Sequence, residues 1–241
     1  MNNMKITSTT DIGADKLKIL VFGEPGTGKT TLAGTIKEPT IVISAEAGLL
    51  SLSGKKIDVI DITTDDNGEI IPKEKRIARL GEAYQYLLTD EAKKKYKWVF
   101  IDSLSEISEN LLEQLNAEFP ERKDSLVMYG ENSKRMRSLI KSFRDLPFYS
   151  VVFTALSTID KDENAMRYTN VNVVGKIADK LPAYFDEVFY LHVDKETGNR
   201  ILVTEKSDKL VAKDRSGKLD KTEPADLSLI AAKIKNNKKE K

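Results

Sequence analysis

One stretch of the sequence has the residue types and spacing of a phosphate-binding loop. Residues 23–30 read Gly-Glu-Pro-Gly-Thr-Gly-Lys-Thr and follow the apolar run 19–22, Ile-Leu-Val-Phe. Between a strand and a helix, the pattern G-x-x-x-x-G-K-[ST] directs backbone N–H groups at the phosphates of a nucleoside triphosphate. The helix start adds the positive end of its dipole. The predicted nucleotide-binding residues are Gly23, Glu24, Pro25, Gly26, Thr27, Gly28, Lys29, Thr30 and Thr31.

A threonine in this loop and an aspartate at the end of a later strand predict a magnesium site. The Thr30 hydroxyl is a Mg²⁺ ligand in such loops, and Lys29 bridges the β- and γ-phosphates. Asp102 ends the apolar run 98–101, where a strand-end aspartate holds the same ion directly or through water. A strand that merely ends in aspartate is the alternative, but the pairing with the loop favours the metal role. The expected cofactors are therefore ATP and Mg²⁺.

Glu46 is the candidate catalytic base. It follows the apolar run 40–44, the next strand after the loop, where its carboxylate could polarise a water that faces the γ-phosphate. Asp102 is followed by Ser103, so no glutamate lies directly beside that aspartate. A carboxylate in a surface turn is the alternative. We therefore predict Glu46 and Lys29 as the catalytic residues.

Composition indicates a single α/β domain. The chain has 241 residues, 40% of them hydrophobic, with a net charge of +1 and no cysteine, which excludes disulfides and thiolate metal sites. Its lone histidine, His192, cannot form a histidine cluster. No apolar run reaches membrane-spanning length and the N-terminus lacks a signal-peptide core, so we expect a cytoplasmic protein without a membrane partner. We predict a flexible lead-in (1–16), one domain (17–234) and a basic, disordered tail (235–241).

Alternating elements predict how the candidate residues are positioned. Apolar runs at 18–22, 40–44, 57–62, 98–101 and 150–154 predict strands. Helical patterns occur at 30–37, 73–88, 104–119, 132–146 and 224–234. Residues 157–172 indicate a polar loop, and 187–193 with 200–204 indicate a hairpin. The expected fold is α/β, with a mostly parallel sheet covered on both faces and a terminal antiparallel hairpin.

Three motifs together resemble a known family. The loop, residues 43–48 (Ile-Ser-Ala-Glu-Ala-Gly) and residues 100–103 (Phe-Ile-Asp-Ser) are similar to the RecA-like recombinase core. More narrowly, the chain resembles the phage RecA-like single-strand annealing proteins of the Sak type, over roughly residues 17–219. Segments 129–130, 151–155, 175–188 and 212–215 also fit that group.

The resemblance implies function as well as fold. It implies a P-loop NTPase with a RecA-like core that hydrolyses ATP, with Glu46 as base, and supports DNA recombination by strand annealing. The implied partners are further copies of the chain in a ring or filament, single-stranded DNA, and, as a candidate, a single-strand DNA-binding protein. For a phage protein the location would be the host cytoplasm. One position departs from the pattern, because Leu156 stands where a polar sensor is expected. Either Thr154 or Ser157 takes that role, or the coupling between ATP and DNA is weakened.

The resemblance also suggests where DNA would bind. It places DNA at the segments after the third and fourth strands, here 120–132 and 157–173. Helical spacing sets four cations on one helix face, and two tyrosines are available for base stacking. The alternative is an ordinary amphipathic helix with a solvated basic face. Considered by itself, the helix favours this alternative. The candidate DNA-binding residues are Lys134, Arg137, Lys141, Arg144, Tyr129 and Tyr168.

Within one chain, no arginine is expected near the phosphate loop to neutralise the charge that develops on the γ-phosphate. RecA-like proteins obtain such cations from a neighbouring subunit, and the matching residues here are Lys213 and Arg215, with Lys206 and Lys209 in reserve. An exposed charged loop is the alternative. Two other functions stay open from the sequence: a P-loop kinase of a small molecule, and a nucleotide-gated scaffold that scarcely hydrolyses ATP.

Overall fold

A ten-stranded sheet organises the chain. The computed structural model describes residues 16–46, 48–121, 124–161 and 164–235. The strands are β1 (Lys18–Gly23), β2 (Thr40–Ser44), β3 (Asp58–Asp61), β4 (Trp98–Asp102), β5 (Ser150–Lys161), β6 (Arg167–Asn172), β7 (Glu187–Val193), β8 (Arg200–Val203), β9 (Lys213–Asp214) and β10 (Thr222–Pro224). The α-helices are α1 (Lys73–Leu87), α2 (Asp90–Lys95), α3 (Leu104–Glu118), α4 (Ser125–Arg144) and α5 (Leu227–Lys235), and short 3-10 helices cover Thr30–Thr35, Leu49–Leu52 and Ala178–Tyr184.

The strand order is β10-β8-β7-β1-β5-β4-β2-β3. The strands from β7 to β3 in this order are parallel, whereas β8 and β10 continue the sheet antiparallel. Outside this order, β6 pairs with β5, and β9 pairs with β7. The predicted parallel sheet with a terminal antiparallel hairpin is therefore confirmed.

The register brings the candidate site residues to one edge of the sheet. Gly23 lies beside Leu156, and Ser44 lies beside Asp102. Because parallel strands end at the same edge, the loop after β1, Glu46 after β2 and Ser103 after β4 converge there.

Apolar side chains fill both faces of the sheet. Along β1, Leu20 and Phe22 join the core cluster that includes residues of α1, α3 and α4, whereas Ile19 and Val21 join the cluster that includes α5. This alternation follows from the two-residue period of a strand. A strand that is buried on both faces appears in sequence as an uninterrupted apolar run, which is the pattern that predicted β1.

The segments after β4 and β5 are more regular than the sequence predicts. Helix α4 begins at Ser125 rather than at 132, because the Asp124 side chain caps it by accepting hydrogen bonds from Leu126 N and Val127 N. The expected polar loop 157–172 is a hairpin, since β5 continues to Lys161 and pairs with β6. Its strands contain threonine, isoleucine and valine, which favour β structure even where they are exposed.

Two further differences are local. The helix after the phosphate loop is a short 3-10 helix. The sequence pattern does not predict α2, in which Thr89 Oγ1 caps the first turn by accepting a hydrogen bond from Ala92 N. The predicted lead-in up to residue 15 and the tail from residue 236 lie outside the described residues. None of the helices in the described ranges combines the length and the apolar character needed to cross a bilayer.

Candidate nucleotide site

The loop after β1 is held in a conformation that two of its glycines permit. A Cβ atom on Gly23 would lie 2.3 Å from the Leu191 carbonyl oxygen of β7, so a side chain there would collide with the neighbouring strand. Gly28 has a φ of 98°, which other residues rarely adopt. Thr27 closes the turn, because its Oγ1 donates to the Glu24 carbonyl oxygen at 2.9 Å. The sequence pattern thus forms a compact loop at the edge of the sheet.

Lys29 reaches across this loop. Its Nζ donates to the carbonyl oxygens of Gly23 at 3.0 Å and of Glu24 at 2.8 Å, and the residue is 8% exposed. Burial lowers the pKa of Lys29, and the nearby carboxylates of Asp102 and Glu46 partly oppose that effect. A phosphate in the loop would stabilise the charged ammonium further.

Asp102 is oriented through both of its carboxylate oxygens. Thr30 Oγ1 donates to Oδ2 at 2.6 Å, and Thr154 Oγ1 donates to Oδ1. Asp102 is buried and Thr154 has no exposed surface. A hydroxyl beside a carboxylate suits a hard cation such as Mg²⁺, which binds oxygen ligands. The residues at this point therefore fit the metal that the loop pattern implies.

The Glu46 carboxylate lies against Ser103. Ser103 Oγ donates to Glu46 Oε1, and the Asp102–Ser103 peptide is cis. Burial raises the pKa of Glu46 and the charge of Asp102 adds to this, whereas the hydrogen bond from Ser103 and the charge of Lys29 lower it. In the sequence, Ser103 stands out only as a residue that cannot act as a base. The pairing of β2 with β4 accounts for its contact with Glu46, since residues that follow neighbouring parallel strands meet.

Comparison with known proteins gives the family. A family model described as "AAA domain" matches residues 15–216. The chain belongs to this family. No curated protein matches it.

This AAA-domain chain also resembles a solved structure, described as a prototypical ATPase from the type III secretion system of pathogenic bacteria. The similarity has a TM-score of 0.50 at 17% sequence identity and covers 73% of this chain. The chain spans about half of that protein's length, 52%. At this identity the match shows the fold alone, and it confirms the predicted RecA-like P-loop ATPase fold. The chain is thus a P-loop NTPase, a fold that implies nucleotide binding.

An arginine that the sequence pattern does not indicate lies beside the phosphate loop at Gly28. A Cβ atom on Gly28 would lie 2.6 Å from Nε of Arg200, the first residue of β8. The sequence predicted the β7–β8 hairpin but not its place in the sheet. Because β7 pairs with β1, the start of β8 comes next to the loop.

Lys213 and Arg215 lie away from the loop of their own chain. Lys213 lies in β9 and Arg215 directly follows it; β9 pairs with the beginning of β7, where Glu187 lies beside Ile19, four residues before the loop. That separation is about 13 Å along a strand. Lys213 Nζ donates to the carbonyl oxygens of Pro182 at 3.1 Å and Phe185 at 2.7 Å. Arg215 forms an ion pair with Asp186 at 2.6 Å. The reserve cations, Lys206 and Lys209, are exposed. Within the described residues, Lys213 and Arg215 therefore form no hydrogen bond or ion pair with the phosphate loop of their own chain.

The candidate DNA-binding residues are divided between a helix and a strand. On α4, Lys134 lies 3.7 Å from the Glu131 carboxylate, Lys141 lies 5.6 Å from the Tyr184 ring, and Arg144 pairs with Asp145 at 2.7 Å. Arg137 is half-buried on the same helix, where Tyr129 is exposed. Tyr168 lies on β6, and its hydroxyl donates to Asp179 at 3.3 Å. Much of the predicted basic face is thus engaged within the chain.

Proposed function

We propose that this P-loop NTPase hydrolyses ATP and binds single-stranded DNA, as a phage RecA-like protein that supports recombination by strand annealing. One observation carries the hydrolytic part. The carboxylate of Glu46, oriented by Ser103, lies in the same site as the Thr30–Asp102 pair. A base, a metal-ligand pair and a phosphate loop at one sheet edge are the parts that triphosphate hydrolysis requires.

Each residue has a distinct task in this hydrolysis. Glu46 accepts a proton from the water that attacks the γ-phosphate, and burial favours this because it raises the pKa of the carboxylate. Lys29 exchanges its contacts with loop carbonyls for phosphate oxygens, which neutralises their charge. Thr30 and Asp102 would hold Mg²⁺, which supplies positive charge to the phosphates when bound. Thr154 keeps the Asp102 carboxylate in position.

The β5–β6 hairpin supports the DNA-binding part. Lys161 and Arg167 lie directly opposite each other in its register. Like charges at opposed positions repel, and a phosphate between them would convert repulsion into attraction. Ile159 and Met166 are also exposed, 68% and 60%, and provide apolar surface for bases. The hairpin is therefore a better candidate for the principal DNA contact than the α4 face, which would add to it.

Assembly in a ring or filament completes the proposal. Lys213 and Arg215 lie too far from their own loop to assist there, so we assign them to the loop of a neighbouring subunit. Burial lowers the pKa of Lys213, and the hydrogen bonds of its ammonium go to the carbonyl oxygens of Pro182 and Phe185.

A salt titration of single-stranded DNA binding tests the proposal. Replacing Lys161 and Arg167 by glutamate should weaken binding and reduce the slope of log K against log salt by about 1.4, since each phosphate contact contributes about 0.7. Lys75 and Lys94, which are exposed on α1 and α2, provide a control double variant with the same change of charge. Equal loss of binding in both double variants would show a bulk charge effect and refute the hairpin site.

ATP turnover measured with and without DNA separates the alternatives. The proposal expects phosphate release that depends on Glu46. Tight ATP binding without turnover would instead indicate the nucleotide-gated scaffold, and phosphate transfer to a small molecule would indicate a kinase.

A further inference from the structure

A pocket adjoins the phosphate loop on the side of the terminal hairpin. It has a volume of about 460 Å³, and the residues that would act on the γ-phosphate, namely Lys29, Asp102 and Glu46, do not line it. Its walls include residues of the loop and the following 3-10 helix, residues of the β7–β8 turn, and an alanine after β10. The lining residues include Gly28, Thr31, Leu32, Val193, Asn199 and Arg200.

Arg200 is the cation of this pocket. Atoms Nε, Cδ and Cζ of its side chain would all lie within 3.1 Å of a Cβ atom on Gly28, so the guanidinium end lies along the glycine. Only a residue without a side chain permits this approach. Among the described residues, no carboxylate forms an ion pair with Arg200. The planar cation is therefore available to a ligand.

A well-formed turn delivers Arg200 to this place. Asp194 Oδ1 accepts hydrogen bonds from the backbone N–H groups of Glu196 and Thr197, and Asp194 N donates to the Asn199 carbonyl oxygen at 2.8 Å. The Arg200 carbonyl oxygen accepts from Ala225 N at 3.3 Å. These bonds fix the backbone on both sides of the arginine, so its position does not depend on a free loop.

The pocket lies where the far end of a bound triphosphate could enter. The γ-phosphate would face Glu46 and the Thr30–Asp102 pair, whereas Gly28 and Thr31 of the same loop region line the pocket. The volume lies within the range of small-ligand sites, which combine apolar walls with a few polar groups. Leu32 and Val193 provide apolar surface here, and Arg200 provides a flat cation. A planar aromatic base suits such a cation, because guanidinium groups stack on aromatic faces.

We infer that this pocket holds the nucleoside end of the nucleotide, with the Arg200 guanidinium stacked on the base. The inference rests on the nucleotide binding in the proposed function, and it assigns to the β7–β8 turn a part in ligand binding. Arg200 is then a residue that secures the base, separate from the cations expected to act on the γ-phosphate from another subunit.

Competition binding with ATP and with inorganic tripolyphosphate tests this assignment. Tripolyphosphate carries the phosphates without a base, so Arg200→Ala should leave its affinity within twofold of the wild type. The same variant should weaken ATP binding by about 3- to 30-fold, the range expected for a lost cation–π contact. Lys195→Ala is the matched control, because Lys195 is an exposed cation of the same turn and does not line the pocket.

Each outcome decides the question. Unchanged ATP affinity in Arg200→Ala overturns the inference, and equal weakening of both ligands shows that the arginine binds phosphate instead. Lack of binding of either ligand to the wild type removes the pocket together with the nucleotide site. If the expected pattern appears in a protein that neither hydrolyses ATP nor binds DNA, the pocket stands and the proposed function fails.

Discussion

Replacing Glu46 by glutamine tests the assigned base with little change of shape. Glutamine keeps an oxygen that can accept the hydrogen bond from Ser103, so the local contact survives. The amide cannot accept a proton from water. Loss of a general base typically slows a reaction about 10²- to 10⁴-fold, equivalent to about 2.7–5.4 kcal/mol. We expect a fall of that size in turnover, with ATP affinity kept.

The pH dependence of turnover identifies the base more sharply than its rate. Glu46 must be ionised to act, and its pKa is raised, so wild-type activity should fall on the acid side at a higher pH than an ordinary glutamate would cause. Glu46→Gln should lack this acid limb. Because the hydrogen bond from Ser103 lowers the Glu46 pKa, Ser103→Ala should move the limb to still higher pH. Phosphate release measured from pH 5 to 9 tests the wild type, Glu46→Gln and Ser103→Ala.

A control must separate this effect from lost stability. Ser103 also caps α3 by accepting from Glu106 N at 3.5 Å, so its replacement costs about 1 kcal/mol of stability. Asp124→Ala removes the cap of α4 without contact to Glu46 and should leave the acid limb in place. The reasoning is refuted if Glu46→Gln turns over within threefold of the wild type, or if its slow residual activity keeps the wild-type acid limb.

Three further perturbations have defined outcomes. Lys29→Ala should abolish turnover and weaken ATP binding in a nucleotide-binding assay, because the phosphates lose their fixed cation; unchanged turnover would contradict the loop assignment. Burial and Asp214 raise the pKa of Glu187 to about 8, so the folded protein loses stability as pH rises from about 4.5 to 8. Glu187→Gln should remove this loss, a gain on the order of 3 kcal/mol at pH 7 in denaturant unfolding, with little gain at pH 5; a gain that is the same at both pH values would exclude a titrating carboxylate. Inactive Lys213/Arg215 double-alanine subunits should regain turnover when mixed with Lys29→Ala subunits, and a mixture as inactive as either variant would show that these cations do not act between subunits.

The elements predicted well are those whose signals are local. The sequence predicts β1 and β4 because each is buried on both faces and its apolar run is unbroken. The sequence indicates a loop where the β5–β6 hairpin forms, because the hairpin strands are partly exposed and polar and burial gives them no apolar pattern. Likewise, Asp124 caps α4 from a polar segment, and a single aspartate is a weak signal among many.

The candidate site likewise has one part that local sequence predicts and other parts that depend on strand order. The phosphate loop is contiguous, and its spacing alone predicts a compact turn at the end of β1. Arg200 lies 172 positions beyond Gly28 in the chain, and only the pairing of β1 with β7 and of β7 with β8 brings it there. The contact between Ser103 and Glu46 likewise requires β2 beside β4. Such encounters depend on strand order, which no local pattern contains.

Serines at the start of α3 connect the candidate nucleotide site with the proposed DNA hairpin. Ser103 holds Glu46, and two residues later Ser105 Oγ accepts from Leu156 N at 2.8 Å and donates to the Asn172 carbonyl oxygen at 2.6 Å. Leu156 and Asn172 are register partners at the base of the hairpin. One buried hydroxyl thus joins both hairpin strands to the helix turn whose first serine contacts Glu46. A displacement of that turn must stretch these bonds or move the hairpin with it. Leu156 therefore belongs to this connection through its backbone N–H, although its side chain cannot bind a phosphate.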